Sequence, residues 1–125
     1  MGKTKRIEES QAMVEIRAIV RTEMLDRVVH CLKESGVPRL SVEWVHAIGS
    51  GVDPAYAKIS FEEGTEFVDK AMVHFICAGE QCGMYTEIIA RAARTGRRGD
   101  GIVSVHPVLG VTKIRTGVEG LAALD

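Results

Sequence analysis

The stretch Arg94-Thr95-Gly96-Arg97-Arg98-Gly99-Asp100-Gly101 sets three glycines and three arginines around one aspartate. It lies between two patterned segments. Before it, Tyr85, Ile88, Ile89 and Ala92 fall at i, i+3, i+4 and i+7, the apolar stripe of a helix. Gly96 stands where such a helix would stop. After it, Ile102 to His106 reads as a strand. Two readings of the stretch are open. It is a tight turn, with a glycine closing the helix and Gly-Asp-Gly bending the chain. Or it is an anion cradle, where glycines bring backbone N–H groups close to phosphate oxygens and arginines add charge-assisted hydrogen bonds. It is not a P-loop, because no Gly-Lys-Ser/Thr follows.

Working outward, Ala71, Val73, Phe75 and Cys77 alternate ahead of the helix, so the region is strand-helix-strand. The same order appears upstream. Val14, Ile16, Ala18 and Val20 alternate as a strand, and Thr22 is placed to cap a helix carrying Leu25, Val28, Val29 and Leu32. Gly36 and Pro38 stop that helix. Leu40, Val42, Trp44, His46 and Ile48 then alternate again. From Gly49 to about Phe67 no period holds, which predicts a long functional loop. A last short strand is expected over Val111–Arg115. Two right-handed strand-helix-strand units interleave into an antiparallel four-stranded sheet with both helices on one face. The predicted class is α+β, a ferredoxin-like βαββαβ sandwich. Its other face would be uncovered. Val42, Trp44, Val73 and Phe75 are expected to supply apolar material there, covered by self-association.

A chain of 125 residues fits one domain with a modest core. Residues 1–12 read as a flexible polar extension, and 13–125 as the ordered unit. The formal net charge is −1, so no bulk field argues for nucleic acid or a membrane surface. The three cysteines, Cys31, Cys77 and Cys82, are no disulfide framework and suggest a reducing, cytoplasmic setting. Cys77 and Cys82 match no strong zinc spacing and read as packed thiols. His46 and His74 are expected to approach on neighbouring strands, as a metal pair, a pH switch or hydrogen-bonded residues. No asparagine is present, which counts strongly against an acylphosphatase-like water-orienting site. Stacked aromatics and a basic field, as an RNA-recognition sheet requires, are lacking. No nucleophile, base and orienter form a triplet, so an enzyme is not expected.

Lys113-Ile114-Arg115-Thr116-Gly117 changes the balance for the glycine stretch. On a strand, Lys113 and Arg115 share one face. Two such cations repel unless solvated or neutralised, and with the glycine loop they suggest a bound polyphosphate. Ala92-Ala93-Arg94-Thr95-Gly96, then Gly99-Asp100-Gly101, then Ile114-Arg115-Thr116-Gly117, at these spacings, resemble the PII nitrogen-regulatory signal proteins from about Met13 to the end.

The resemblance implies a homotrimer with adenine nucleotides (ATP or ADP, or AMP) in the clefts between subunits. It also implies a T-loop, about 49–69, that docks on a membrane transporter or enzyme. Carried over, Gly99, Asp100 and Gly101 match the loop around the phosphates. Lys113 and Arg115 match the two closing cations. Ala47, Ile48 and Gly49 match the base of the T-loop. Ser41 matches a hydroxyl facing the adenine and Ile76 an apolar residue packed on it. Ile102 stands where the family has a lysine reaching the phosphates, and Arg98 could supply that charge. Losing it would favour ADP or AMP over ATP.

Gly51 aligns with a glutamine that helps hold magnesium and 2-oxoglutarate, and glycine has no side-chain oxygen to offer. Lys70 matches the lysine that meets the 2-oxo acid. Bicarbonate is the alternative small effector. The family's modifiable tyrosine falls at Glu63 without gaps, or at Phe67 by motif, while Tyr56 lies elsewhere in the loop. Modification at the usual place is therefore not expected. Glu62, Glu63, Glu66 and Asp69 make the loop acidic. The rival on architecture is a CutA-like or metal-efflux-associated trimer responding to metal ions.

Overall fold

The computed structural model describes residues 12–49, 54–60, 62 and 64–125. In chain order these form β1 (Met13–Arg21), α1 (Leu25–Glu34), β2 (Ser41–Ala47), β3 (Lys58–Ser60), β4 (Thr65–Ala78), α2 (Cys82–Ala93) and β5 (Gly101–Pro107). The main sheet runs β2-β4-β1-β5 and is antiparallel throughout, with β3 paired to β4 beside it. Strands next to each other in this order are far apart in sequence. That is the interleaving of two strand-helix-strand units, and it confirms the ferredoxin-like α+β class.

The alternation that marked the strands is the alternation of burial. Val14, Ile16, Ala18 and Val20 on β1, with Ala71, Val73, Phe75 and Cys77 on β4, lie in the core. They meet Val28 and Leu32 of α1 and Tyr85 and Ile89 of α2. Each such aliphatic side chain removed from water contributes about 1.5–3 kcal/mol. The Phe75 and Tyr85 rings meet edge-on, with centroids 5.5 Å apart. α1 ends as its sequence requires. Gly36 takes φ +98°, and the Val37 N–H returns to the Leu32 carbonyl at 3.1 Å. Cys77 and Cys82 are buried core atoms. Burial, then the neighbouring Cys82, pushes the Cys77 thiol up to about 11, so little of it is thiolate at neutral pH.

Several expectations need correction. Thr22 does not cap α1. Thr22–Met24 form a 3-10 turn leading into the helix, and no side chain caps either start. The region expected to lack structure from Gly49 to Phe67 contains β3, and β4 begins already at Thr65. Lys58, Ile59 and Ser60 pair with Phe67, Glu66 and Thr65. A three-residue strand is too short to show a period. The expected last strand, Val111–Arg115, is not formed. An isolated bridge joins Thr112 and Glu119, and Ile114–Thr116 make a turn. The Lys113 N–H bonds the Val118 carbonyl and the Gly117 N–H bonds the Lys113 carbonyl, each at 2.8 Å.

Val73 and Phe75 lie under the helices. Val42 and Trp44 pair with Val73 and Ala71, so they share that side of the sheet. Trp44 is 70% exposed because β2 is an edge strand beyond the helices. The uncovered face instead carries Glu15, Arg17, Ile19, Met72, His74, Ile76 and Ile102. Residues 1–11 of the expected extension lie outside the described residues. Ala12 already accepts a bond from the Gly79 N–H at 3.1 Å.

Candidate functional site

The glycine stretch is both a turn and a built loop, and Asp100 builds it. One carboxylate oxygen accepts the N–H groups of Thr95 at 2.8 Å and Gly96 at 2.9 Å. The other accepts Arg21 Nε at 3.0 Å and the Thr95 hydroxyl. Arg21 Nη2 also donates to the Arg98 carbonyl at 2.6 Å. Lys70 Nζ donates to the Gly99 carbonyl. Partial desolvation alone would raise the Asp100 pKa. The bonds from Thr95, Arg21 and Gly96 outweigh it and hold the carboxyl well below the usual carboxylate range.

Arg21 and Lys70 stand opposite each other in the β1–β4 register. They are 3% and 4% exposed. Two buried cations thus brace the loop from beneath through its carbonyls and its aspartate. Gly101 closes it. Its φ is +103°, and a Cβ there would lie 1.8 Å from the Ile19 carbonyl oxygen. Only glycine fits so near a neighbouring strand.

The Asp100 carboxylate is thus engaged in shaping the loop, and Lys70, expected at a 2-oxo acid, donates to the Gly99 carbonyl. Arg21 was missed by the sequence reading. It looked like one more polar position in the alternation of β1, and only the register with Lys70 shows that it is buried.

Beside the loop, Ile48, Gly49 and Arg98 line an open depression of about 370 Å³ with Pro54, Ala57 and Thr65. Ala47 ends β2 just before it. The structure therefore brings Ile48 and Gly49, just past the end of β2, beside Arg98 of the glycine loop. Tyr56 lies in a 3-10 turn, Pro54–Tyr56, with its ring centroid 6.0 Å from the Arg21 guanidinium carbon. Gly51 and Glu63 lie outside the described residues. Phe67 is buried and stacks on His46 at 3.9 Å, while Asp69 binds Lys58 Nζ at 2.7 Å. These contacts fasten β3 and its hairpin to the sheet.

The remaining expected residues meet elsewhere. Ser41, Ile76, Lys113 and Arg115 line one cleft of about 720 Å³, with Arg39 and Leu40. Lys113 and Arg115 reach it from a turn, not from the face of a strand. Ser41 pairs with His74, six register steps along β2 from the Ala47–Val68 pair beside the glycine loop. At about 3.3 Å per residue that is roughly 20 Å. One chain therefore holds two separate groups of the expected residues. One has the glycine loop and T-loop base, and the other has a hydroxyl, apolar walls and two cations.

The predicted histidine pair does not form. His46 lies opposite Asp69, and His74 sits between Glu15 at 3.6 Å and Glu43 at 3.3 Å. Among the described residues no group of three or more His, Cys, Asp or Glu side chains is placed to hold a metal ion. No described helix is long and apolar enough to cross a membrane.

Comparison with known proteins gives concordant results. The family model "Nitrogen regulatory protein P-II" matches residues 13–118. A nitrogen regulatory protein P-II of Rhizobium meliloti is 35% identical over 114 residues, covering 90% of this chain and all of that protein. One from Microchaete diplosiphon is 32% identical over 112 residues with the same coverage. Among solved structures, Arabidopsis thaliana PII bound to citrate superposes with a TM-score of 0.73 at 28% identity. That match covers 90% of this chain and 92% of that one.

Proposed function

Because the chain belongs to the nitrogen regulatory protein P-II family, we propose that it is a trimeric sensor of adenine nucleotides that regulates a partner through its T-loop. The observation that carries this reading is the separation of the two half-sites. Ser41 and Ile76 offer a hydroxyl and an apolar wall for a base, beside Lys113 and Arg115. The glycine loop that would cradle phosphates lies about six residues of strand away. Two copies placed side by side can join one chain's cleft to the next chain's loop. The uncovered sheet face, with Ile19, Met72 and Ile76, supplies the surface such an assembly would bury. That a relative was solved with citrate, a polyanion, agrees with a site for anions on this fold.

The loop works by binding. Arg21, Lys70, Asp100 and Thr95 are all engaged in holding its shape, so occupancy changes geometry rather than bonds. The output element is the segment that follows Gly49. Its base shares a depression with Arg98, so a ligand on the glycine loop touches the place where the T-loop leaves the sheet. A membrane transporter or an enzyme is the class of target. The metal-responsive alternative has no support in geometry, since His46 and His74 are separated and engaged with carboxylates.

Calorimetric titration with ATP, ADP and AMP, with and without magnesium, tests the reading, together with sedimentation to establish the trimer. Micromolar binding that weakens by roughly tenfold or more in Arg115→Ala is the expected result. With Ile102 rather than a cation after the loop, ADP or AMP is expected to bind more tightly than ATP. Absence of binding by all three nucleotides would sink the proposal. Adding 2-oxoglutarate or bicarbonate to the nucleotide-bound protein then tests for a second effector.

A further inference from the structure

The chain beyond Gly117 turns back onto the cleft that holds Lys113. Gly120 takes φ +76°, with its N–H on the Val111 carbonyl at 3.0 Å. Gly120–Leu124 then form a short 3-10 turn. Ala123 and Leu124 wall the same cleft as Ser41, Ile76 and the two cations. A main-chain oxygen of Asp125 accepts Lys113 Nζ at 2.7 Å and Arg39 Nη2 at 3.4 Å.

We propose that residues 120–125 are a strap that competes with an anionic ligand for Lys113 and Arg39. The proposal rests on the nucleotide reading above and adds a regulation of the same site. Asp125 offers these two donors a single main-chain oxygen, whereas a phosphate offers several oxygens together with its negative charge. Lys113 and Arg39 therefore gain by exchanging Asp125 for a phosphate. Little else resists the exchange. Ala123 is the one buried side chain of the turn, and Leu121 is 49% exposed. Gly120 supplies a hinge, since its positive φ is open to glycine with little strain. Coupling of this kind is reciprocal. Ligand releases the strap, and a released strap raises the ligand's apparent affinity by the reciprocal of the fraction of chains that was open.

The test combines titration with ADP and amide hydrogen exchange on the full chain. Ala123→Gln and, separately, Leu124→Gln unseat the strap by bulk and polarity without adding a charge beside the cations. Each is expected to bind ADP several-fold tighter than the unsubstituted chain, on the order of two- to tenfold for one or two released hydrogen bonds. In the unsubstituted chain, the amides of residues 121–125 are expected to exchange faster when ADP is added. Binding equal to or weaker than that of the unsubstituted chain in both variants overturns the strap. So does slower exchange of these amides with ADP, which would make the segment part of the occupied site. If ADP binds the variants alone, the strap is closed in most molecules and the proposal stands. If no chain takes up ADP, the nucleotide reading falls, and the strap with it.

Discussion

The glycine loop and the Lys113–Arg115 turn both carry cations near a proposed ligand, yet they are built in opposite ways. Beneath the loop, Arg21 and Lys70 are buried and tied to Asp100 and to the carbonyls of Arg98 and Gly99. At the turn, Lys113 is half-buried and Arg115 exposed, and the Lys113 side chain is held by a main-chain oxygen of Asp125. The first set of charges stabilises a shape. The second stands at the wall of an open cleft. The difference shows that charge beside a glycine motif does not by itself mark a ligand contact; burial and prior engagement decide which role a cation has.

The contrast breaks most sharply at Gly101. Gly101→Ala forces a Cβ against the Ile19 carbonyl at a positive φ. A loss on the order of 4 kcal/mol of stability is expected from strain and overpacking together, read as a fall in thermal midpoint. Asp100→Ala comes next. It removes four hydrogen bonds from the loop and leaves Arg21 buried without its carboxylate. About 3 kcal/mol is expected by denaturant unfolding. A loss under 1 kcal/mol would mean that the loop does not depend on this aspartate.

Acid gives a smaller effect with a definite sign. The folded Asp100 carboxyl has its pKa held below the ordinary value. Its stabilisation is therefore complete above about pH 4, where the unfolded chain is also ionised. It declines as pH falls below that, because the unfolded state takes up the proton first. Unfolding curves from pH 6 to pH 2 should show this slope, and Asp100→Asn should flatten it. The smallest effect on stability is expected at Arg115→Ala, within about 0.5 kcal/mol of the unsubstituted protein. In the same variant, nucleotide affinity should fall by roughly tenfold or more, the value of one charge-assisted hydrogen bond. Equal losses of stability at Arg115 and Asp100 would erase the distinction between the two regions.

Much of the fold was legible because burial and periodicity are the same fact on an amphipathic element. β1, α1, β2, α2 and β5 stand where alternation or the helical stripe placed them. β3 was not legible, since three residues carry no period. The strand expected at Val111–Arg115 failed for a related reason: Lys113 and Arg115 alternate with Ile114 and Thr116, but no partner strand pairs with them beyond the Thr112–Glu119 bridge. The cations nonetheless reach the same cleft from their turn. Val42, Trp44, Val73 and Phe75 were placed on the wrong face together, because alternation shows that a strand has two faces but not which of them the helices cover.

The sequence by itself determined the interleaved strand-helix-strand order, the glycine loop and the family, because these depend on local pattern and on residue types at short spacing. Which cations brace the loop and which line the cleft was decided only by tertiary structure. The β1–β4 register sets Arg21 against Lys70 under a loop more than seventy residues beyond Arg21. The return of residues 120–125 sets Asp125 on Lys113. Both are long-range pairings, and a side chain's solvation and partner are properties of the packed chain, which no local spacing encodes.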